Sequence, residues 1–556
     1  MRPPHVVMRL ERMGSLHQTR ISFMRSLVRR MNREKWTIER TQWDVNELGY
    51  GVAVYTVGTP ERSYSLVAFS NELDDADRTD RVIAEKWDAT FALVDGIPDD
   101  ADIERLGRCI PLQEAGRCSS SELVLSRANK SVRLFDYVVE CLADGRQPEI
   151  QRLAEVGYLM RTTAVYGNGK FGLSDREKVM REEVMCSPYR AELLSVYLIR
   201  CFTHDLVDHV ASMRGGGRSV KLDKQRKTIL GIGNATGLGM APYLHKHPAL
   251  LNNWIVARET ALGRVRAVPS ATPEKVERFR MLLERAAEHV HQWRTDDALQ
   301  CVRIEQLSKD LEHIRNRPID EHYPWHELMQ WAETSLSMEA QEMLASLLME
   351  PYPELVDELE CTMGADESVS IHPDATVREL LDTIEQSYEW ALQIDFEQAG
   401  ASHWFWYVSK EKLEPRIGVR DDDTGADKEM PLGVAVQAQR VYADLKATRN
   451  PHQTVAVFLA LHPQHRHIVR RIQNMVCRPY GEIQDNLLDE HMRPIDMLRG
   501  KLSFFGATKF DPKSDRWTRI TMYQGAPLPE GLHADDADDW CFPVIEGMES
   551  AASNPV

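Results

Sequence analysis

Four glycines within nine residues mark the segment of this chain whose residue types best suit ligand binding. The segment from Lys227 to Pro248 reads KTILGIGNATGLGMAPYLHKHP and contains Gly231, Gly233, Gly237 and Gly239. Glycine lets a ligand approach the main chain closely, and a glycine loop that leads into a helix offers free N–H groups to an anion. The spacing has one residue too many for the dinucleotide fingerprint and lacks the Lys-Ser or Lys-Thr of a P-loop. The alternative is a connection between two helices in which the glycines permit close packing.

Basic residues in two further segments could complete an anion site. In LSRANKSVR they recur at three-residue spacing, which predicts one face of one helix, and in the second segment they flank TTAVYGNGKFG, which holds another glycine turn. The planar guanidinium group of arginine suits carboxylates and phosphates. The predicted substrate-binding residues are Arg127, Lys130, Arg133, Arg161, Lys170, Gly231, Gly233, Gly237 and Gly239. The alternative is a solvated basic stripe.

Catalytic residues are harder to predict from this chain. The sequence contains no G-x-S-x-G motif, so a hydrolase nucleophile elbow is not indicated. Histidine titrates near neutral pH and is the usual proton-transfer group. We therefore predict Tyr166, His204 and His245 as the candidates for proton transfer.

Three histidine-containing segments could contribute metal ligands. They are His204 with Asp208, His245 with His247, and His462 with His465 and His467. None of them completes an established metal-binding motif such as H-E-x-x-H. The sequence therefore assigns no residue as a metal ligand, and it identifies no cofactor.

The pattern of apolar residues predicts an α+β fold that is predominantly helical. Strands joined by short turns at residues 36–43, 51–57, 63–69 and 88–94 predict an N-terminal antiparallel α/β unit over residues 1–116. A large helical middle follows over residues 117–400, with helices at 119–143, 148–165, 188–213, 249–266, 273–294, 298–315, 335–349 and 376–398. A small C-terminal α+β unit covers residues 401–530, with strands at 403–408, 501–505 and 516–522, a turn at 511–514 and helices at 433–447 and 452–475. An acidic tail covers residues 531–556.

Composition narrows the functional classes. The 556 residues carry a net charge of −17, which argues against broad nucleic-acid binding, although the aromatic and basic residues of 404–420 keep it as a minority alternative. The nine cysteines form no C-x-x-C pair, which is typical of reduced thiols in a cytoplasmic protein. No apolar run is long enough for membrane insertion, and the N-terminus lacks the features of a signal peptide. The oligomeric state stays open.

Together these patterns favour a soluble cytoplasmic enzyme that acts on a small anionic metabolite bearing a carboxylate or phosphate. The absence of Rossmann and P-loop motifs favours lyase, isomerase or hydrolase chemistry over redox chemistry. The alternative is a non-catalytic interaction or regulatory scaffold. The enzyme hypothesis expects the basic and glycine-containing segments to converge on one compact cleft, whereas the scaffold hypothesis does not.

Overall fold

The computed structural model describes most of the chain, and the described part forms two compact units. The described residues are 1–77, 86–111, 119, 121–164, 179, 181–237, 247–320, 322–364, 370–395, 402–408, 415–419, 427–429, 434–484, 487–488, 494–514 and 517–547. The first unit contains Met1–Leu16, Gly237–Arg264 and Leu359–Lys501, and the second contains His17–Thr236, Val265–Glu358 and Leu502–Val556. With 53% helix and 14% strand, the chain has the predominantly helical α+β fold predicted from its sequence.

A nine-stranded sheet forms the centre of the second unit. Its strands follow the order β1-β2-β3-β4-β5-β6-β7-β13-β12. Consecutive strands from β1 to β6 pair antiparallel, whereas β6 and β7 are parallel neighbours. The strands are β1 Thr37–Val45, β2 Gly51–Gly58, β3 Ser63–Ser70, β4 Ala89–Asp95, β5 Glu122–Lys130, β6 Tyr158–Thr162, β7 Gly231–Gly237, β12 Lys509–Ser514 and β13 Trp517–Met522.

A smaller sheet lies in the first unit, in the order β10-β8-β11, with β9 paired to β8. The strands are β8 Ser402–Val408, β9 Pro415–Val419, β10 Asp427–Glu429 and β11 Leu487–Leu488. The aromatic run of β8 therefore forms the strand predicted for it. The four-segment division of the chain stays a prediction; the large sheet draws strands from the first three of those segments.

Helices account for most of the remaining described residues. In chain order they are α1 Pro4–Val7, α2 Leu10–Gly14, α3 Phe23–Arg33, α4 Asp100–Cys109, α5 Phe135–Ala143, α6 Ile150–Val156, α7 Arg190–Gly215, α8 Lys224–Ile229, α9 Pro248–Arg266, α10 Pro273–His291, α11 Ala298–Arg315, α12 Trp325–Ser335, α13 Met338–Met349, α14 Pro353–Val356, α15 Val377–Ser387, α16 Glu389–Leu392, α17 Val434–Lys446, α18 Val455–Leu461, α19 Arg466–Met475 and α20 Pro494–Phe505. None of these helices is long and apolar enough to cross a membrane.

Helices cover both faces of the large sheet. On one face, which we call the α4 face, Val67, Phe69 and Ala92 pack with Leu106 of α4 in a buried apolar cluster. On the other, the α7 face, the ring of Phe91 meets the ring of Phe202 on α7 at a centroid distance of 5.6 Å. Because side chains alternate along a strand, each sheet residue can be assigned to one face from its register.

The first four strands form where the sequence predicts them, but the next two were wrongly predicted as helix. The serines before Glu122 look like helix caps, yet Glu122 accepts a hydrogen bond from Arg105 at 2.7 Å and begins β5. This strand is buried on both faces, so it lacks the polar alternation that reveals a half-buried strand. The helix predicted over 148–165 ends at Gly157, whose φ of 82° turns the chain into β6.

Two C-terminal predictions are also wrong. Residues 501–505, predicted as a strand, belong to the end of α20. Residues 511–514, predicted as a turn, form part of β12, which pairs with β13. The adjacent strand β13 agrees with the sequence prediction to within one residue.

Candidate functional site

The glycine stretch begins as a strand inside the sheet, not as the predicted connection between helices. Gly231, Gly233 and Gly237 all lie on β7, whereas Gly239 lies outside the described residues. A Cβ atom on Gly231 would lie 2.2 Å from the carbonyl oxygen of Met522, and one on Gly233 would lie 2.5 Å from the ring of Tyr158. Close packing therefore explains these two glycines without any ligand.

The two glycine-containing segments nevertheless follow neighbouring strands that run in the same direction. Residues 167–169 come after β6 and residues 237–239 come at the end of β7, and β6 and β7 are parallel. The carboxyl ends of parallel strands meet at one edge of a sheet, which is where ligands bind in open α/β sheets. We refer to this edge as the carboxyl edge of the β6–β7 pair.

Polar residues share the α4 face of the sheet near this edge. Register places Arg161 of β6 opposite both Asn129 of β5 and Gly233 of β7, and it places Thr90 of β4 opposite Arg127 of β5. The main-chain N–H of Asp88 donates to Oδ1 of Asn129 at 3.1 Å. We call Asp88, Thr90, Arg127, Asn129 and Arg161 the polar cluster.

The polar cluster is buried and rich in hydrogen-bond donors. Asp88, Thr90, Asn129 and Arg161 are all less than 4% exposed. The guanidinium carbon of Arg127 lies 4.8 Å from the ring centre of Trp87. Within the described part of the chain, no hydrogen-bond partner is found for the Thr90 hydroxyl, Nδ2 of Asn129 or Nε1 of the adjacent Trp87. Two of these atoms can only donate, and the hydroxyl can donate as well.

The polar cluster holds two guanidinium groups and one carboxylate, that of Asp88, whose Oδ2 accepts from the main-chain N–H of Lys130 at 3.0 Å. The three donor atoms that lack a partner among the described residues would be satisfied by an anion with several oxygens. The arrangement can therefore hold a carboxylate or phosphate group.

No known protein family, curated protein or solved structure matches this chain. The chemistry of the described side chains therefore carries the functional argument by itself. Trp87, Asp88 and Thr90 were not predicted from the sequence as site residues. The available signal was the polar alternation of Asp88 and Thr90 at the start of an otherwise apolar strand.

The predicted substrate-binding residues divide between several places. Arg127 and Arg161 meet in the polar cluster, but the predicted single helix carrying Arg127, Lys130 and Arg133 is wrong because the first two lie on β5. Residues three apart on a strand point to opposite faces, so Lys130 lies on the α7 face, with its Nζ 4.8 Å from the ring centre of Phe135. Arg133 is exposed in the turn that follows. Lys170, Tyr166 and His245 lie outside the described residues.

His204 lies at a separate cavity on the α7 face. The cavity has a volume of about 170 Å³ and is lined by residues of β1, β2, α7 and α8 and by residues 528–530. In its wall, the buried guanidinium of Arg200 donates to the carbonyl oxygens of Leu230, Ala526 and Lys227 at 2.9–3.1 Å. Arg200 thereby ties α7 to two other segments.

Three ionisable groups at this cavity, those of His204, Cys201 and Tyr55, are held in their neutral forms. Burial lowers the pKa of His204 well below its usual value, and the nearby charges of Arg200 and Lys227 lower it further. Burial raises the pKa of the Cys201 thiol to about 12 and also raises the pKa of Tyr55, whose hydroxyl donates to Asp205 at 2.7 Å. A neutral thiol and a weakly basic imidazole give the cavity no activated nucleophile.

The first of the three histidine-containing segments, that of His204 and Asp208, is engaged in other contacts. The Asp208 carboxylate accepts from the main-chain N–H of Leu222 at 2.7 Å and pairs with Nζ of Lys227 at 2.9 Å. His209, one turn along the same helix face as Asp205, lies with its Nε2 2.8 Å from the carbonyl oxygen of Asn46. These contacts fit a structural role for this face of α7.

Proposed function

We propose that this protein binds a small anion bearing a phosphate or carboxylate at the polar cluster, and that it acts on this anion as a cytoplasmic enzyme. The observation that supports the proposal is the surplus of buried donors at the carboxyl edge of the β6–β7 pair. Each buried polar group without a partner costs roughly 1–3 kcal/mol. Such groups are uncommon in folded proteins, and three in one place call for an explanation. A bound anion supplies the acceptors that these donors lack.

The chemistry of the polar cluster favours an anion with several oxygens in one plane or tetrahedron. The guanidinium groups of Arg127 and Arg161 are planar forks that suit carboxylate and phosphate oxygens. Asn129 and Trp87 each add a neutral N–H donor, which fixes orientation without adding charge. Lyase, isomerase or hydrolase chemistry remains part of this proposal, because the sequence lacks Rossmann and P-loop motifs.

Proton transfer at the polar cluster falls to residues other than His204. His204 lies on the α7 face, whereas Arg127 and Arg161 lie on the α4 face. Within the polar cluster, the carboxylate of Asp88 is the group that can accept a proton. Tyr166 and His245 stay predictions.

Two substitutions test the site. Thr90→Val is isosteric and removes a hydroxyl, whereas Trp87→Phe removes one N–H and some buried volume while it keeps an aromatic ring under Arg127. The matched control is Ser126→Ala. Ser126 also lies on β5 and carries a buried hydroxyl with no partner among the described residues, but it lies on the α7 face. Calorimetric titration with inorganic phosphate, phosphorylated metabolites and di- and tricarboxylates would measure the affinity of each variant.

We expect one class of anion to bind the unaltered protein, and we expect Thr90→Val and Trp87→Phe each to weaken that binding by roughly tenfold or more. Ser126→Ala should leave the affinity unchanged. Without ligand, Thr90→Val should be as stable as the parent, because it removes a hydroxyl for which the described part of the chain holds no partner. If no anion binds, or if the control weakens binding as much as the other two variants, the proposal fails and the scaffold alternative gains.

A further inference from the structure

Ring nitrogens of two histidines of the first unit lie close to one carboxylate oxygen. Nε2 of His465 lies 2.6 Å from Oδ2 of Asp444, and Nδ1 of His462 lies 3.7 Å from the same oxygen. All three atoms lie within 4.8 Å of one another. His467, grouped with these histidines on sequence alone, is not a member of this set.

The three side chains are held by elements that pack on the core of the first unit. Asp444 lies near the end of α17, between the buried residues Val441 and Leu445. His462 is the C-cap residue of α18, and His465 follows within a short 3₁₀ turn that leads into α19. Because each element contributes buried residues to the same apolar cluster, the distance between the two histidines and the carboxylate is fixed by packing.

Phe458 sets the planes of both imidazole rings. Its fully buried ring stacks on His462 at a centroid distance of 4.8 Å and lies nearly parallel to the ring of His465 at 6.0 Å, with an angle of 7°. A ring that is stacked in this way loses little further freedom when its nitrogen binds a ligand. The donor atoms are therefore oriented before any ligand arrives.

The distances from the Asp444 oxygen to the two histidine nitrogens are close to the donor separations of a zinc site. Zinc binds histidine nitrogen at about 2.0–2.1 Å and carboxylate oxygen at about 2.0–2.2 Å in a tetrahedron, which places neighbouring donors roughly 3.3 Å apart. The observed separations of 2.6 and 3.7 Å lie on either side of that value, so shifts of well under 1 Å would suffice. A simple ion pair explains the contact of His465 but not the approach of a second ring nitrogen to the same oxygen.

We propose that Asp444, His462 and His465 bind a divalent transition-metal ion, with Zn²⁺ as the best match. Two imidazole nitrogens favour zinc over Ca²⁺ or Mg²⁺, which prefer ligand sets made of oxygen. The side chains of His462 and Asp444 are 33% and 42% exposed, whereas that of His465 is 9% exposed. One side of the site therefore faces solvent, and water takes the fourth position, as in zinc sites that have three protein ligands.

The test is a titration of the chelator-stripped, full-length protein with Zn²⁺ in competition with a chromophoric chelator. The variants are His462→Gln and Asp444→Asn, which remove one ligand each with little change of volume. The matched control is His467→Gln, because His467 lies two residues beyond His465 and is not a ligand in this proposal. Circular dichroism of each variant checks that it is folded.

We expect the unaltered protein to bind one Zn²⁺ at this site, with Ca²⁺ and Mg²⁺ unable to displace it. Each ligand variant should lower the Zn²⁺ affinity by at least about tenfold, the smaller of the effects known even for second-shell changes. His467→Gln should bind as the parent does. Because His462 is partly exposed, His462→Gln should stay folded even if Asp444→Asn does not. Unchanged affinity in a folded His462→Gln protein, or no Zn²⁺ binding by the parent, would overturn the proposal.

Discussion

The substitution Glu350→Gln tests how a buried ion-pair cluster stabilises the second unit. The guanidinium of Arg25 is 1% exposed and binds Glu350 through two contacts, at 2.5 and 3.0 Å. Its Nη2 also contacts the carboxylate of Asp538 at 3.3 Å. Three arginines and three carboxylates balance in this cluster, which consists of Arg20, Arg25, Arg29, Glu350, Asp357 and Asp538.

The expected loss follows from the charge that remains. Glutamine keeps the shape of the side chain but leaves three guanidinium groups facing two carboxylates. Removing one partner of a buried pair typically costs about 3–5 kcal/mol, because the other charge stays buried. We expect a value near the lower end, about 3 kcal/mol, since Arg25 keeps its contact with Asp538.

Calorimetry is the suitable measurement, because a chain with two compact units need not unfold in one transition. Glu350→Gln should lower the unfolding temperature of the second unit by several degrees. The control Glu104→Gln breaks the exposed pair of Glu104 with Arg108 and should cost only about 0.2–1 kcal/mol. The double change Arg25→Met with Glu350→Leu should recover much of the loss, because it removes one charge of each sign. Equal, small losses for Glu350→Gln and the control would refute the reasoning.

Two further predictions concern the same unit. Gly231→Ala should lower the free energy of unfolding of the second unit by about 1–3 kcal/mol in chemical denaturation, because the new Cβ would meet the main chain of Met522. The control is Gly217→Ala, at a glycine with open space around it, which should lower that free energy by less. Burial lowers the pKa of His289 to about 4, below the value of about 6.5 expected in the unfolded chain, so its contribution to stability is complete above pH 6.5 and is lost as the pH falls towards 4. His289→Asn should flatten the decline of the unfolding temperature over that pH range, and an unchanged decline would contradict this account.

The sequence predicts strands β1 to β4 of the large sheet well because they are rich in β-branched and aromatic residues and are joined by clear turn residues. Strands β2 and β3 agree with the prediction to within one residue. Strands β5 and β7 escape prediction for physical reasons. Strand β5 follows serines that resemble helix caps and carries cations at three-residue spacing, and β7 consists largely of small residues whose intrinsic strand preference is weak. Pairing with neighbouring strands overrides local preference in both cases.

The candidate sites show the same limit. Sequence spacing groups Arg127 with Lys130, but the pleat of β5 separates them, whereas the distant Arg161 joins Arg127 only through the pairing of β5 with β6. In the proposed zinc site, the spacing of His462 and His465 is visible in the sequence. The role of Asp444 is not visible in the sequence, because its distance from the two histidines depends on how α17 packs against α18 and α19.

The place of β13 in the large sheet has a consequence for biosynthesis. About 280 residues separate the end of β7 from the start of β13, which pairs alongside it. At roughly 5–20 residues per second, a ribosome needs about 14–56 s to make that interval. During this time the edge of β7 has no partner strand, and an open strand edge can pair with another chain. Nascent chains that stall before residue 517 should therefore aggregate or recruit chaperones more than completed chains do.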